Sequence, residues 1–137
     1  MTVIDMQTMR YINLLDRAAN VKTKNCFLYN NTVIFAVPGA MISKAIGPDA
    51  INIRRIQESL GKKVRIIKEP AGLGESERFI SDIVYPVNFK GVELKDGVFL
   101  LNAGSQSKAA LIGRNKRRLE ELRKISQDVF GFDLKIV

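Results

Sequence analysis

Residues 39–67 read GAMISKAIGPDAINIRRIQESLGKKVRII, and residues 104–137 read GSQSKAALIGRNKRRLEELRKISQDVFGFDLKIV. Aligning Ile46-Gly47 with Ile112-Gly113 brings the apolar positions of the two stretches into register, and each stretch ends in a short apolar and basic segment typical of a strand. The second copy is four residues longer between its glycine and that segment, which is about one extra turn of helix. Two unrelated amphipathic helices could show part of this similarity by chance, but the shared order indicates a duplicated helix–glycine–helix–strand unit.

A helix and a β-hairpin are predicted before each copy. In the first half, Asp5 is a candidate N-cap for a helix with an apolar stripe at Met6, Met9, Ile12, Leu15 and Ala18 or Ala19. Asn30-Asn31-Thr32 then separates two β-rich runs. In the second half, Ser76 is a candidate N-cap for a short helix, and the hairpin signal Asp96-Gly97 separates strands around Val87–Leu94 and Val98–Leu101. Each half is therefore predicted to follow the order αββααβ.

This order predicts an α+β protein with two domains, residues 1–70 and 71–137. Pro and Gly residues at about positions 69–75 are typical of a linker. A domain of about 68 residues is marginally stable alone, since small domains bury only about 60% of their unfolded surface. We therefore expect the two domains to pack against each other.

The composition excludes several classes of function. The 137 residues include 22 Lys and Arg, 14 Asp and Glu, one Cys and no His, which gives a net charge of +8. A single cysteine excludes a disulfide framework and a multi-thiolate zinc site. The absence of histidine removes the usual metal ligand and the usual general base at neutral pH. We therefore expect no enzymatic activity, no catalytic residues, no metal and no cofactor.

The positive charge indicates a polyanionic partner, with nucleic acid first and an acidic membrane surface second. The alternative is a protein whose solvated face happens to be basic. No apolar run approaches 18 residues, and the first residues lack the pattern of a signal peptide. We expect a cytoplasmic protein that does not insert into a membrane and is a monomer.

The turns at Gly47 and Gly113 are the candidate binding sites. A glycine lets the backbone approach a ligand without a Cβ in the way. The helix that follows each turn presents unpaired N–H groups and the positive end of its dipole, which favours an anion. Strands nearby would give an apolar wall for bases. The pattern therefore indicates a groove for a few unstacked nucleotides, with the phosphates on the loop.

These features resemble the KH domain, whose glycine loop clamps four nucleotides, and specifically its type II form, in which a helix and a strand precede the βααβ core. The chain is similar over essentially its whole length to the archaeal NusA-like proteins, two-KH relatives of the bacterial transcription factor NusA. The similarity lies in Met9-Arg-Tyr-Ile12, Asn25-Cys26, Val33-Ile-Phe35, Ala45-Ile46-Gly47, Leu60-Gly-Lys-Lys-Val64 and Phe79-Ile80 leading to Tyr85-Pro86. The resemblance implies, for each half, a three-stranded sheet with helices on one face, single-stranded RNA binding, and a role in transcription termination or antitermination.

Both turns depart from the Gly-x-x-Gly pattern of the family. The first reads Gly47-Pro48-Asp49-Ala50, in which the proline removes an N–H donor and the aspartate adds negative charge. The second reads Gly113-Arg114-Asn115-Lys116, in which two cations can compensate for the missing glycine. We therefore rank the second loop as the better RNA contact.

The candidate RNA-binding residues surround the two turns. They are Lys44, Ile46, Gly47, Pro48, Asp49, Ala50, Arg54 and Arg55 at the first turn, and Lys108, Ile112, Gly113, Arg114, Asn115, Lys116, Arg117 and Arg118 at the second. For any one of these basic residues, a solvated helix face is the alternative interpretation. The imperfect loops leave a second function open, that of a scaffold that docks on RNA polymerase or on a ribosomal assembly with degenerate KH units.

Overall fold

The computed structural model describes residues 6–137, and the chain divides between Glu69 and Pro70 into two compact units. The first unit contains α1 (Met6–Ala19), β1 (Asn25–Tyr29), β2 (Thr32–Val37), α2 (Ile42–Ile46), α3 (Ile51–Leu60) and β3 (Lys63–Lys68). Its sheet has the order β1-β2-β3, in which β2 runs antiparallel to β1 and parallel to β3. A two-helix crossover thus connects the two parallel strands.

The second unit repeats this architecture. It contains α4 (Ser76–Val84), β4 (Gly91–Lys95), β5 (Val98–Asn102), α5 (Lys108–Ile112), α6 (Arg117–Phe130) and β6 (Asp133–Ile136). Its sheet has the order β4-β5-β6, again antiparallel and then parallel. The predicted α+β class and the order αββααβ are confirmed, and each unit has the arrangement expected of a type II KH domain. The helix that follows the second glycine is also four residues longer than its counterpart, as predicted.

The hairpin turns form as their sequences predict. Asn30 and Asn31 have φ values of 50° and 59°, and Asp96 and Gly97 have φ values of 53° and 74°. Two successive residues with positive φ make a turn whose twist matches that of paired strands, and Asn, Asp and Gly adopt this conformation more readily than other residues do. The register of the two antiparallel pairs, β1 with β2 and β4 with β5, is therefore set locally by these turns.

The core of the first unit lies on one face of its sheet. Side chains of β1, β2 and β3 on this face pack with the helices in one cluster: Cys26, Val33, Phe35, Val37 and Val64 from the sheet, and Tyr11, Leu15, Ala45 and Ile56 from α1, α2 and α3. The helices therefore cover one face of the sheet, as expected. The single cysteine is one of these buried residues, where it acts as a small hydrophobe.

The predicted apolar stripe of α1 is wrong in its first turn. Met6 and Met9 are 88% and 52% exposed, whereas Tyr11 and Leu15 are buried. The buried face follows the i, i+4 spacing of Tyr11 and Leu15, and the Tyr11 hydroxyl accepts a hydrogen bond from Gln7 at 2.7 Å. The spacing argument failed because it counted methionines and left out an amphipathic tyrosine. The proposed N-cap Asp5 lies outside the described residues.

An aromatic cluster stabilises the second unit. Phe130 at the end of α6 makes edge-to-face contacts with Phe79 of α4 and Phe99 of β5, with ring centroids 5.8 and 5.4 Å apart. Such pairs contribute about 0.5–1.5 kcal/mol each beyond the burial of their area. The cluster therefore fixes α4 and α6 against the sheet.

Two predicted boundaries in the second unit are wrong. The strand expected around Val87–Leu94 is β4 and begins only at Gly91, where the backbone N–H of the next residue, Val92, also donates to Glu77 at 2.9 Å. Ser76 does not cap α4, because it is the first residue of the helix and is buried. Glu75 occupies the N-cap position, and it pairs with Arg78 at 3.0 Å.

Two further observations concern membrane and metal. None of the helices within residues 6–137 has the length and apolar content needed to cross a membrane. The same residues contain no group of three or more Cys, Asp or Glu side chains placed to hold a metal ion.

Candidate nucleic-acid interface

The first glycine loop joins α2 to α3. Gly47 has φ 77° and ψ 167°, Pro48 follows, and Asp49 and Ala50 both have left-handed backbone conformations before α3 begins at Ile51. Two backbone hydrogen bonds hold the loop: Gly47 N–H donates to Ser43 at 2.9 Å, and Ala50 N–H donates to Gly47 at 3.1 Å. The loop is thus a tight, internally bonded turn.

The second glycine loop has the same conformation with different residues. Gly113 has φ 75° and ψ 171°, and Asn115 and Lys116 take the left-handed conformations that Asp49 and Ala50 have in the first loop. The two bonds recur, from Gly113 N–H to Ala109 at 2.9 Å and from Lys116 N–H to Gly113 at 3.2 Å. The shape of the loop is therefore common to both units, and only its chemistry differs.

Contacts within the protein explain why glycine is needed at both positions. A Cβ on Gly47 would lie 2.7 Å from Asn52 Nδ2, and a Cβ on Gly113 would lie 2.6 Å from Arg118 Cγ. The φ and ψ values also fall in a region that is essentially restricted to glycine. The sequence argument assigned the glycines to close approach of a ligand, but the close approach that the structure shows is to the first turn of the following helix.

Asn52 of α3 links this helix to α2 and was missed by the sequence argument. Its side chain is buried, and its Nδ2 donates to the backbone carbonyl of Lys44 in α2 at 3.1 Å. This bond satisfies a carbonyl near the end of α2 that has no partner within its own helix. The sequence did contain a signal for its burial, because Asn52 lies four residues before Ile56 and so shares the buried face of α3.

Arg118 occupies the equivalent place in the second unit, five residues after the glycine. Its side chain is only 17% exposed, and its Nε donates to Glu121 at 2.9 Å. Arg118 is therefore not a fully exposed cation, because packing beside Gly113 and the ion pair with Glu121 hold its side chain along α6. Its backbone still lies next to the loop, since Arg118 is the second residue of α6.

The other predicted cations lie on the surface around the loops. Within residues 6–137, their side chains have no hydrogen-bond or ion-pair partner; they are Lys44, Arg54 and Arg55 in the first unit, and Lys108, Arg114, Lys116 and Arg117 in the second. Three of these, Arg114, Lys116 and Arg117, lie within four consecutive positions of the second loop and the first turn of α6. The first loop has no cation at the corresponding positions and carries Asp49 instead.

The apolar residues before the loops differ from the cations in exposure. Ile46 and Ile112, which precede the glycines, are partly buried, whereas Pro48, Asp49 and Asn115 are exposed and Ala50 is intermediate. α2 packs against α3 and β3, and α5 packs against α6 and β6. The loop tips therefore project into solvent from a packed base.

An ion-pair network joins the middle of α6 to the start of β6. Asp133 accepts hydrogen bonds from Arg123 Nε at 2.8 Å and Nη2 at 3.1 Å, and Arg123 also pairs with Glu120 at 3.1 Å. The guanidinium of Arg123, together with the backbone N–H of Leu134, lowers the pKa of Asp133 to about 2. The charge of Arg123 is thus balanced by Asp133 and Glu120, unlike the charges of the cations at the second loop.

Two named proteins are similar to this chain in sequence. No protein-family profile matches the chain. It is 23% identical over 128 residues to the "Probable transcription termination protein NusA" of Halococcus morrhuae, covering 91% of this chain and 90% of the relative. It is 29% identical over 118 residues to the protein of the same name from Methanocaldococcus jannaschii, covering 83% of this chain and 63% of the relative.

A solved structure shows the same fold. The crystal structure of APE1850 matches with a TM-score of 0.65 and 23% identity, covering 98% of this chain and all of the other. The fold, the duplicated glycine loops and the two named relatives agree. Together they confirm the resemblance of this chain to the archaeal NusA-like KH-domain proteins.

Proposed function

We propose that this protein binds single-stranded RNA through its glycine loops, with the second loop as the stronger contact, and that it acts as a non-enzymatic factor in transcription termination or antitermination. The transcription role rests on the names of the two relatives, both probable transcription termination proteins. The RNA contact rests on the geometry of the loops and the charges around them.

One observation carries the proposal. The second loop joins a tight glycine turn to the start of a fourteen-residue helix, and Arg114, Lys116 and Arg117 surround it without intramolecular partners among residues 6–137. A helix N-terminus with free N–H groups attracts phosphate, and charge-assisted hydrogen bonds from arginine are stronger than neutral ones. Because no side chain of the described residues neutralises these cations, they are available to a phosphate backbone.

The first loop supports a weaker contact. Pro48 supplies no N–H donor at a position where Arg114 has one, and Asp49 places a carboxylate where Asn115 is neutral. A carboxylate near a phosphate raises the energy of the complex by like-charge repulsion. The shared backbone shape would still allow a strand to follow the loop.

The test is a charge reversal at the second loop. Arg114→Asp with Lys116→Asp should weaken binding of a single-stranded oligouridylate, measured by filter binding, by at least tenfold, since each exposed charge pair contributes up to about 1 kcal/mol. Lys95→Asp with Lys135→Asp is the matched control, because both lysines are exposed in the same unit and the change in net charge is equal. Equal effects from the two double variants would refute a specific site at the loop.

RNA polymerase is the second partner that we propose, and it provides the alternative function of a docking scaffold. The chemistry of the first loop favours this alternative, because Pro48 and Asp49 make that unit a poor phosphate clamp. A pull-down with purified polymerase, with and without RNase, separates the two functions. A complex that survives RNase, combined with no RNA affinity of the free protein, would favour the scaffold.

A further inference from the structure

Each unit has six equivalent residues at one end of its sheet. There the hairpin turn lies beside the end of the long helix and the start of the last strand. In the first unit these residues line a concave surface, called here the turn-end cleft: Asn30, Asn31, Gln57, Gly61, Lys62 and Lys63. Strand pairing fixes the correspondence, because Lys63 pairs with Thr32 just as Asp133 pairs with Val98. The duplication therefore provides an internal comparison of one backbone with two sets of side chains.

The backbones at the two ends are alike. Gly61 and Gly131 each end the long helix with a left-handed conformation, and each donates its N–H to the carbonyl of the glutamine four residues earlier, at 2.8 and 3.0 Å. Both hairpin turns also have two residues with positive φ. Differences between the two ends therefore lie in the side chains.

In the second unit this end is filled and acidic. Phe132, in the place of Lys62, packs edge-to-face on Phe99 with ring centroids 5.8 Å apart. Asp133, in the place of Lys63, accepts hydrogen bonds from Arg123 and from its own neighbour Leu134. Asp96 lies in the hairpin turn. The residues in the places of the two lysines, Phe132 and Asp133, therefore offer no positive charge to an anion.

In the first unit the same end is open and basic. Lys63 is exposed, Lys62 is partly exposed, and neither ammonium has a hydrogen-bond or ion-pair partner within residues 6–137. Gln57 Oε1 accepts the N–H of Val64 at 3.0 Å, and the Nε2 group of the same amide is a hydrogen-bond donor. None of the six residues of the cleft carries a carboxylate. The cleft therefore presents donors and positive charge.

We propose that the turn-end cleft binds phosphate groups of single-stranded RNA at a site separate from the glycine loops. This inference rests on the proposed function. The ten residues of α3 place the cleft about 15 Å along the helix from the first loop. The contact would explain why residues 1–70, which contain the weaker loop, have 11 basic and 5 acidic residues (net +6), whereas residues 71–137 have 11 and 9 (net +2).

The experiment removes the two cations of the cleft. Lys62→Ala with Lys63→Ala should weaken binding of a twelve-nucleotide oligouridylate, measured by fluorescence anisotropy, by about fivefold, as expected for two exposed ion pairs. The slope of log affinity against log salt should fall in magnitude by about 1.4, since each contact to a single strand contributes about 0.7. Circular dichroism and the thermal midpoint should stay unchanged, because neither side chain has a hydrogen-bond or ion-pair partner among the described residues.

The matched control is Lys22→Ala with Lys24→Ala, which removes two exposed lysines before β1, at the opposite end of that strand from Asn30. An unchanged affinity of the cleft variant, or an equal loss in the control, would overturn the proposal. The result is independent of the loop variant Arg114→Asp with Lys116→Asp. If the loop variant loses affinity and the cleft variant does not, only this inference fails; if the loop variant keeps its affinity, the proposed function fails at its own site.

Discussion

Gly47→Ala tests whether the shape of the glycine loop depends on its first residue. The new Cβ would lie 2.7 Å from Asn52 Nδ2 and 3.0 Å from Asn52 Cγ, and the backbone would keep φ 77° only under strain. Asn52 can relieve the clash by moving away. That movement would break its hydrogen bond to the carbonyl of Lys44.

The expected cost has two parts. Forcing alanine into a backbone region that is essentially restricted to glycine costs roughly 2 kcal/mol. Losing the buried hydrogen bond of Asn52 costs roughly 1 kcal/mol more. We therefore expect Gly47→Ala to lower the free energy of unfolding by about 3 kcal/mol.

Two other glycines of the chain serve as matched controls. Gly61 also has a positive φ, 65°, but a Cβ there would meet nothing within 4 Å, so Gly61→Ala should cost only about 1 kcal/mol. Gly72 has an extended backbone and equally open surroundings, so Gly72→Ala should change stability by less than about 0.5 kcal/mol. Because alanine costs about 1 kcal/mol more in backbone strain at Gly47 than at Gly61, only a difference larger than that reports the clash with Asn52.

Urea unfolding followed by far-ultraviolet circular dichroism measures all three variants under one set of conditions. The predicted order of destabilisation is Gly47→Ala, then Gly61→Ala, then Gly72→Ala. If Gly47→Ala costs no more than about 1 kcal/mol beyond Gly61→Ala, backbone strain alone accounts for the difference, the close approach of Gly47 to α3 has no energetic role, and the reasoning about the loop is refuted.

Two further predictions use the differences between the units. Asp49→Asn with Ala50→Lys copies Asn115 and Lys116 into the first loop and should tighten oligouridylate binding about fivefold by anisotropy, through one lost repulsion and one new cation; no gain would show that the first loop does not contact RNA. Asp133 has its pKa lowered to about 2 by Arg123, so its contribution to stability is present above about pH 4 and is lost as the pH falls towards 2. Asp133→Asn should therefore make the free energy of unfolding less dependent on pH in that window. The slope against pH should fall by an amount that corresponds to less than one proton taken up on unfolding, and identical pH profiles would contradict this.

The repeat and the turns could be predicted from sequence because their signals are local. Asn30-Asn31 and Asp96-Gly97 specify hairpins by their own tolerance of positive φ, and Ile46-Gly47 and Ile112-Gly113 mark the same helix end twice. None of these inferences requires knowledge of the tertiary packing.

The misses involve tertiary contacts. Arg118 looks like its neighbour Arg117 in sequence, but only the packing beside Gly113 and the ion pair with Glu121 show that it is mostly buried. Asn52 is polar and the sequence analysis did not single it out, yet its side chain is buried and donates to a carbonyl eight residues away. Met9 was assigned to the core by hydrophobicity alone, although Tyr11 takes that role.

A titration of the uniformly ¹⁵N-labelled protein with an oligouridylate, followed by NMR, tests most directly whether the second loop binds RNA. The largest changes in amide chemical shift should fall on Gly113 to Arg118, with smaller changes at Gly47 to Ile51. Largest changes on any other surface, with the amides of the second loop unmoved at saturation, would contradict RNA binding through that loop.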